Sequence, residues 1–226
     1  MTFGERVVEF NLGLKLHVAI PNVEVLNPFK DSYTVSLARQ FYNKYYGDTS
    51  KRHVILGINP GRFGSGLTGV PFTDPIKMET FCGISNTLPK KAELSADFIY
   101  TMIAAFGGPE KFYHQFYIHS VCPLGFTRNG TNLNYYDIRE LQNAVEPFII
   151  KSIKVQLQFG VNTNVGYCLG EGSNFKYLSK LNETHGFFQR IIPLSHPRFI
   201  MQYKRKSIST YIDDYLRKFK QAESEE

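Results

Sequence analysis

Two patterns of apolar residues alternate along this chain: stripes at helical spacing, and short unbroken runs. Asp31 and Ser32 can cap a helix whose apolar stripe passes through Leu37, Phe41 and Tyr45, and Gly47 follows as a stop. Residues 53–58, His-Val-Ile-Leu-Gly-Ile, are rich in branched side chains and predict a strand buried on both faces. Similar runs recur at 116–119, 153–159 and 188–194, with helical spacing over 95–106, 136–151, 174–182 and 207–220. Strands alternating with helices predict an α/β fold, a mostly parallel four-stranded sheet covered on both faces as a three-layer α/β/α sandwich. In such sheets a ligand site gathers at the carboxyl ends of the strands. No repeat or low-complexity tract divides the chain, so one domain is expected over 1–226, with the polar stretch 221–226 as a frayed tail.

Composition narrows the picture. The 226 residues are 42% hydrophobic and 20% charged, enough for one sizeable core. Aromatics are 15% of the chain, 19 Phe and 14 Tyr without Trp, so rings must supply much of the buried area, and some are free to stack on bases. A net charge of +6 suits a polyanionic partner, although many basic proteins bind no nucleic acid. Cys82, Cys122 and Cys168 stand far apart with no Cys-x-x-Cys pair, which argues against a zinc site, a redox motif or a disulfide framework and predicts buried thiols. The start of the chain lacks a signal-peptide pattern, and no run approaches the ~18 apolar residues of a membrane span. The expectation is a soluble intracellular monomer of the cytoplasm and nucleoid, or of the nucleus in a eukaryote, with no membrane partner, metal or cofactor.

Three strand ends carry candidate chemistry. The first runs Gly57-Ile58-Asn59-Pro60-Gly61-Arg62-Phe63-Gly64 and continues through Thr68-Gly69-Val70-Pro71-Phe72. Its glycines let main-chain N–H groups approach a ligand, but an ordinary strand-to-helix connection stays open. It is neither Gly-x-Gly-x-x-Gly nor a P-loop, and Asn59 offers an amide that can both accept from and donate to a water. The second strand end is Ile118-His119-Ser120-Val121-Cys122-Pro123, where polar residues can read a base edge or simply satisfy the structure. The third is Leu194-Ser195-His196-Pro197-Arg198-Phe199, followed by Ile200-Met201-Gln202-Tyr203-Lys204-Arg205-Lys206. That mixture of bulky and basic residues can push into DNA and grip phosphates, or form a solvated run leading into the last helix.

Together these segments resemble the uracil-DNA glycosylase superfamily, and within it the single-strand-selective monofunctional branch. The stretches Gly57-Ile58-Asn59-Pro60-Gly61 and Thr68-Gly69-Val70-Pro71-Phe72 look like that branch's first motif. Gly108-Pro109-Glu110-Lys111-Phe112-Tyr113, His119, Cys122-Pro123-Leu124 and Asn132-Leu133 are similar to its middle region, and His196-Pro197 with Arg198 resembles its second motif. The resemblance implies a monofunctional glycosylase that hydrolyses the bond between a deaminated base and its deoxyribose in DNA. It implies that Asn59 positions the attacking water and that His196 donates a hydrogen bond to the base oxygen that becomes anionic. It further implies that Phe72 stacks on the extruded base and that main-chain groups at Ile58 and Gly61 line the same pocket.

The sequence departs from the family pattern in three places. Ser120 stands where the pattern has an Asn that reads the uracil edge, so xanthine or hypoxanthine become candidate substrates beside uracil. The second motif is two residues shorter than His-Pro-Ser-Pro-Arg, leaving Phe199, Met201 and Tyr203 as candidate intercalators, with Arg198, Lys204, Arg205 and Lys206 for phosphates. Arg62 replaces a Pro and is a further candidate phosphate contact. The alternatives are a DNA-binding module that has lost catalysis and another superfamily branch; a small-molecule hydrolase using Ser65 or Ser195 ranks lower, since neither lies in a Gly-x-Ser-x-Gly elbow.

Overall fold

The computed structural model describes residues 1–223. In chain order the elements are α1 (Phe3–Leu12), β1 (Val23–Leu26), α2 (Ser32–Tyr45), β2 (Arg52–Gly57), α3 (Ser65–Thr68), α4 (Pro75–Thr80), α5 (Leu94–Phe106), α6 (Pro109–Gln115) and β3 (Phe116–Ser120). They continue with β4 (Gly125–Arg128), β5 (Thr131–Leu133), α7 (Arg139–Leu157), β6 (Val161–Leu169), α8 (Ser173–His185), β7 (Arg190–Leu194), α9 (Pro197–Tyr203) and α10 (Ile208–Glu223).

Strands β3, β2, β6 and β7 pair in that order, all in parallel, as the four-stranded sheet that the alternation of elements predicted. Side chains alternate across a strand, so neighbours on β3 report the two covering layers. Phe116 meets Phe219 of α10 at 4.5 Å between ring centroids, Phe112 of α6 at 5.1 Å and Phe106 of α5 at 5.5 Å. Tyr117, on the opposite face, meets Phe3 of α1 at 5.1 Å and donates its hydroxyl to Gln156 of α7 at 3.1 Å. Most rings of this aromatic-rich chain are thus consumed by the core, and the three thiols are buried.

A second, antiparallel sheet joins β1, β4 and β5, and its β4–β5 hairpin turns through Asn129 and Gly130, both at positive φ. Such two-residue turns match the twist of the flanking strands. Neither this sheet nor α1 was expected from the apolar pattern.

One expected strand is corrected. Residues 153–157 are the last turns of α7, and 158–159 follow its end. The alternation from Ile153 to Phe159 looked like a strand, but Val145, Ile149, Ser152, Ile153 and Gln156 are the buried positions, and their spacing is that of one helix face. The strand proper is β6. Its start carries exposed Thr163 and Asn164, and burial is continuous only from Val165, so its sequence reads as a loop. The expected tail is corrected in part, since α10 continues to Glu223; residues 224–226 lie outside the described residues. No described helix is long and apolar enough to cross a membrane.

The start of β2 is anchored by Arg52, whose side chain is fully buried. Its guanidinium donates to both carboxylate oxygens of Asp48 (2.9 and 3.0 Å) and to the carbonyls of Ser50 (2.9 Å) and Tyr113 (2.8 Å). It also lies 4.8 Å from the Phe3 ring centroid and 4.9 Å from that of Tyr46. The hydrogen bonds from Arg52 lower the Asp48 pKa to about 2. Arg52→Ala should therefore cost on the order of 3 kcal/mol in urea unfolding, the low end for a broken buried pair because Asp48 is 42% exposed. Because the Asp48 pKa is depressed on folding, its stabilisation is complete above the ordinary carboxylate range and is lost as pH falls toward about 2. The acid limb of the stability curve should be shallower in Asp48→Asn than in the wild type.

Candidate active site

The carboxyl ends of the four parallel strands bring the three candidate segments together. Gly57 of β2 stands opposite Ser120 of β3, and Leu169 of β6 opposite Leu194 of β7. The chain leaves β2 through Ile58 and Asn59 and leaves β7 through Ser195 and His196. Two cross-strand bonds extend the pairing past the strand ends, from Val121 N–H to Gly57 O (2.9 Å) and from Cys122 N–H to Ile58 O (3.1 Å).

Asn59 is half-buried, and both ends of its amide are engaged. Oδ1 accepts from the Tyr135 N–H at 3.0 Å, while Nδ2 donates to the carbonyls of Leu133 (3.2 Å) and Pro60 (3.4 Å). A donor facing one end and acceptors facing the other fix which end of the amide is oxygen. Oδ1 keeps a second lone pair, so the group can hold a water in one orientation. It cannot take a proton from that water with any effect.

Phe72 packs against Gly57, where a Cβ would come within 2.8 Å of the ring. Only glycine leaves room for the ring at that strand end. Phe72 itself sits at φ 54°, a left-handed conformation that costs a bulky residue of order 1–3 kcal/mol. Its neighbours hold it there: the Thr68 hydroxyl donates to Thr73 O (2.6 Å) and accepts from Val70 N–H (3.2 Å), and the Thr73 hydroxyl meets Tyr100 Oη at 2.9 Å.

His196 caps α9, with Nδ1 accepting the Arg198 N–H at 3.1 Å. The accepting nitrogen has no proton in that bond, so in the neutral ring the proton is on Nε2. Burial pushes the imidazole pKa down to about 4, and the Arg198 charge pushes the same way. The ring is a neutral donor over the physiological range, with its centroid 6.3 Å from that of Phe72.

The other expected residues divide. Ser120 is buried beside Gly57, while His119 turns away, its Nε2 3.3 Å from Asn11 Oδ1 of α1. The Ile58 and Gly61 carbonyls already accept from Cys122 and Gly66. Arg62 donates through both its main-chain N and Nε to Asn132 Oδ1, each at 3.2 Å. Arg198, Phe199, Tyr203, Lys204 and Arg205 are exposed, and Phe199 and Tyr203 pair on one face of α9 with centroids 5.7 Å apart. Met201 is corrected as an intercalator: it is buried, because helical spacing turns it inward with Ile200. Buried Ser195 donates to Glu171 at 3.1 Å.

Sequence reasoning missed the supports. Buried Asn174 donates to Leu169 O (3.0 Å) and Gly57 O (3.4 Å) and accepts from Tyr135 Oη at 2.8 Å. It thereby ties the ends of β2 and β6 to the residue whose N–H orients Asn59. No local pattern marks Tyr135 or Asn174, because the bonds from Tyr135 to Asn59 and Asn174 and from Asn174 to Gly57 span 39 or more positions. Among the described residues, no group of three or more His, Cys, Asp or Glu side chains is arranged to hold a metal.

The family described as the uracil DNA glycosylase superfamily matches residues 44–220. A single-strand selective monofunctional uracil-DNA glycosylase of Rattus norvegicus is 26% identical over 147 residues, 55% of this chain and 53% of that protein. Its Mus musculus counterpart is 25% identical over 142 residues, 53% of this chain and 51% of that protein. The chain thus spans about half the length of these curated relatives. The crystal structure described as wild-type Pedobacter heparinus SMUG2 is similar over 99% of both chains, with a TM-score of 0.97 and 50% identity.

The geometry predicts the protonation state of His196. Nitrogen-detected NMR should find the Nε2–H tautomer, with no titration until pH approaches about 4. An imidazole that titrates near its ordinary value would contradict the site as described.

Proposed function

This chain belongs to the uracil DNA glycosylase superfamily, and from that premise we propose that it is a monofunctional DNA glycosylase, releasing uracil or a related deaminated base from DNA by hydrolysis. The observation that carries this reading is the neutral His196 beside Phe72, its Nδ1 occupied by the Arg198 N–H so that Nε2 is the donor.

Breaking the glycosidic bond sends the bonding electrons into the base and leaves positive character on the sugar. A hydrogen bond aimed at the base oxygen strengthens as that oxygen becomes anionic, so it lowers the barrier more than it stabilises the bound substrate. A neutral imidazole supplies such a bond without having to surrender its proton. Asn59, held by Leu133 and Tyr135, offers its remaining lone pair to a water attacking the anomeric carbon. Since an amide is no effective base, departure of the base carries most of the catalysis. Phe72 provides the face for stacking, and Ser120 contacts the edge of the base. The route uses protein groups and water, and the resemblance positions no lysine for Schiff-base chemistry, so no strand cleavage is expected after base loss.

The base must leave its stack to enter, at a cost of a few kcal/mol that single-stranded DNA partly avoids. The exposed Phe199–Tyr203 pair is assigned to fill the space left behind, with Arg62, Arg198, Lys204 and Arg205 on phosphates.

His196→Ala should lower base release by about 100- to 1,000-fold, scored as alkali-induced scission of a uracil oligonucleotide. A near-native rate would overturn the role, and a wild type that binds the oligonucleotide but releases nothing would point to a binding module instead. Ser120→Asn should shift the preference among uracil, xanthine and hypoxanthine toward uracil; an unchanged profile removes Ser120 from base recognition.

A further inference from the structure

Beside the base site lies a cleft of about 320 Å³ between the Asn59–Gly64 loop, the start of α5, the tip of the β4–β5 hairpin and α9. Its walls include Arg62, Phe63, Glu93, Ser95, Asn132 and Arg198. Two of these residues adjoin the proposed chemistry in sequence: Arg62 follows Asn59 by three positions and Arg198 follows His196 by two. The Phe63 ring carries a cation from each neighbouring segment, Lys91 Nζ at 3.6 Å and the Arg62 guanidinium at 4.8 Å from its centroid. Asn132 anchors Arg62 against the hairpin, so that arginine enters the cleft already oriented.

One acid stands among these cations. The Glu93 main-chain N–H is bonded to Asp74 Oδ2 at 2.9 Å, and its carboxyl is wedged against the loop, where a Cβ on Gly64 would fall onto Oε2 and one on Gly61 would lie 3.7 Å from Oε1. The carboxyl forms no ion pair with any described residue.

We propose that this cleft binds a DNA phosphodiester flanking the extruded nucleotide, gripped by Arg62 and Arg198, and that Glu93 is the positioning residue that makes the grip depend on pH. The assignment rests on the glycosylase reading above. Two guanidiniums match a phosphodiester in charge and hydrogen-bonding geometry, whereas an ionised carboxylate in the same cleft repels it. As an acid, Glu93 donates an O–H to a phosphate oxygen; as an anion, it opposes the contact. Burial raises its pKa to about 7, with the Asp74 charge adding to the rise and Arg198 opposing it. Arg62 and Arg198 are the other charged residues lining the cleft, Lys91 lies over the neighbouring Phe63 ring, and His196 is already the neutral ring well below this range.

A phosphate bound beside Glu93 raises its pKa further, so binding takes up a proton and affinity falls as pH rises through about 7.

The test is anisotropy of a labelled single-stranded oligonucleotide with a non-cleavable 2′-fluoro-deoxyuridine, at constant ionic strength. From about pH 6 to about pH 8.5 the wild-type Kd should rise by about tenfold, because one linked proton allows no more than about tenfold per pH unit. Glu93→Gln, of nearly the same shape but unable to ionise, should bind with a Kd that stays level. Replacing one flanking phosphodiester by a neutral methylphosphonate should flatten the wild-type profile as well. The inference is overturned if Glu93→Gln follows the wild-type pH profile, or if no flanking methylphosphonate changes it. Base release from the cleavable oligonucleotide separates the two readings: release with a pH-independent Kd sinks the cleft alone, and no release from any deaminated base sinks both. If Glu93→Gln fails to fold, Arg62→Gln should lower the slope of log affinity against log salt by about 1, and an unchanged slope removes the phosphate from the cleft.

Discussion

The Asn59 amide is the interaction on which the site depends. It closes the gap between the end of β2 and the segment after β5, accepting from Tyr135 N–H and donating to Leu133 O. Through Tyr135 Oη and Asn174 the same link reaches Leu169 O and Gly57 O, so the ends of two sheet strands and the small antiparallel sheet are fastened at one side chain. A group used in this way is oriented before any substrate arrives, and it has no protonation state to lose. A carboxylate there would leave the Leu133 carbonyl facing an acceptor. The architecture therefore favours an amide, and in the proposed hydrolysis the burden of catalysis falls on stabilising the departing base.

That burden falls on desolvation as much as on geometry. In the proposed reaction His196 is a donor because partial burial and the Arg198 charge disfavour a charged ring, and because the first turn of α9 occupies Nδ1. Glu93, just before α5, is shifted in the opposite sense by the same cause, since burial penalises whichever form is charged. Two groups that ordinarily titrate on either side of pH 5 are thus displaced past one another, one held neutral as a base and the other as an acid. In the proposed reaction the net positive charge of +6 attracts the polyanion, and these two residues act on it at close range.

The strain at Phe72 belongs to the same economy of position. A left-handed phenylalanine survives because Thr68 and Thr73 are fixed by buried hydrogen bonds and because Gly57 yields its side-chain space to the ring. The glycine and the ring are 15 positions apart in the sequence and make one surface in the fold.

Apolar runs and stripes were enough to read an α/β sheet with its site at the carboxyl ends of the strands, because burial on two faces imposes continuous branched runs on β2. Asn59 and His196 stood out for a related reason, since glycine and proline around them impose backbone shapes that leave a mark in the sequence, whereas Phe72 was marked only by the resemblance to the family's first motif. The helical fate of 153–157, the strand at Val161–Leu169 and the inward turn of Met201 were not legible, since periodicity over a few residues cannot tell which face a core will cover. The class of fold and the residue types at the site were readable from residue pattern alone. Which lone pair of Asn59 is left, which nitrogen of His196 holds the proton and that Glu93 shares a cleft with two arginines came from the folded arrangement, because each depends on contacts that the chain makes once it is folded.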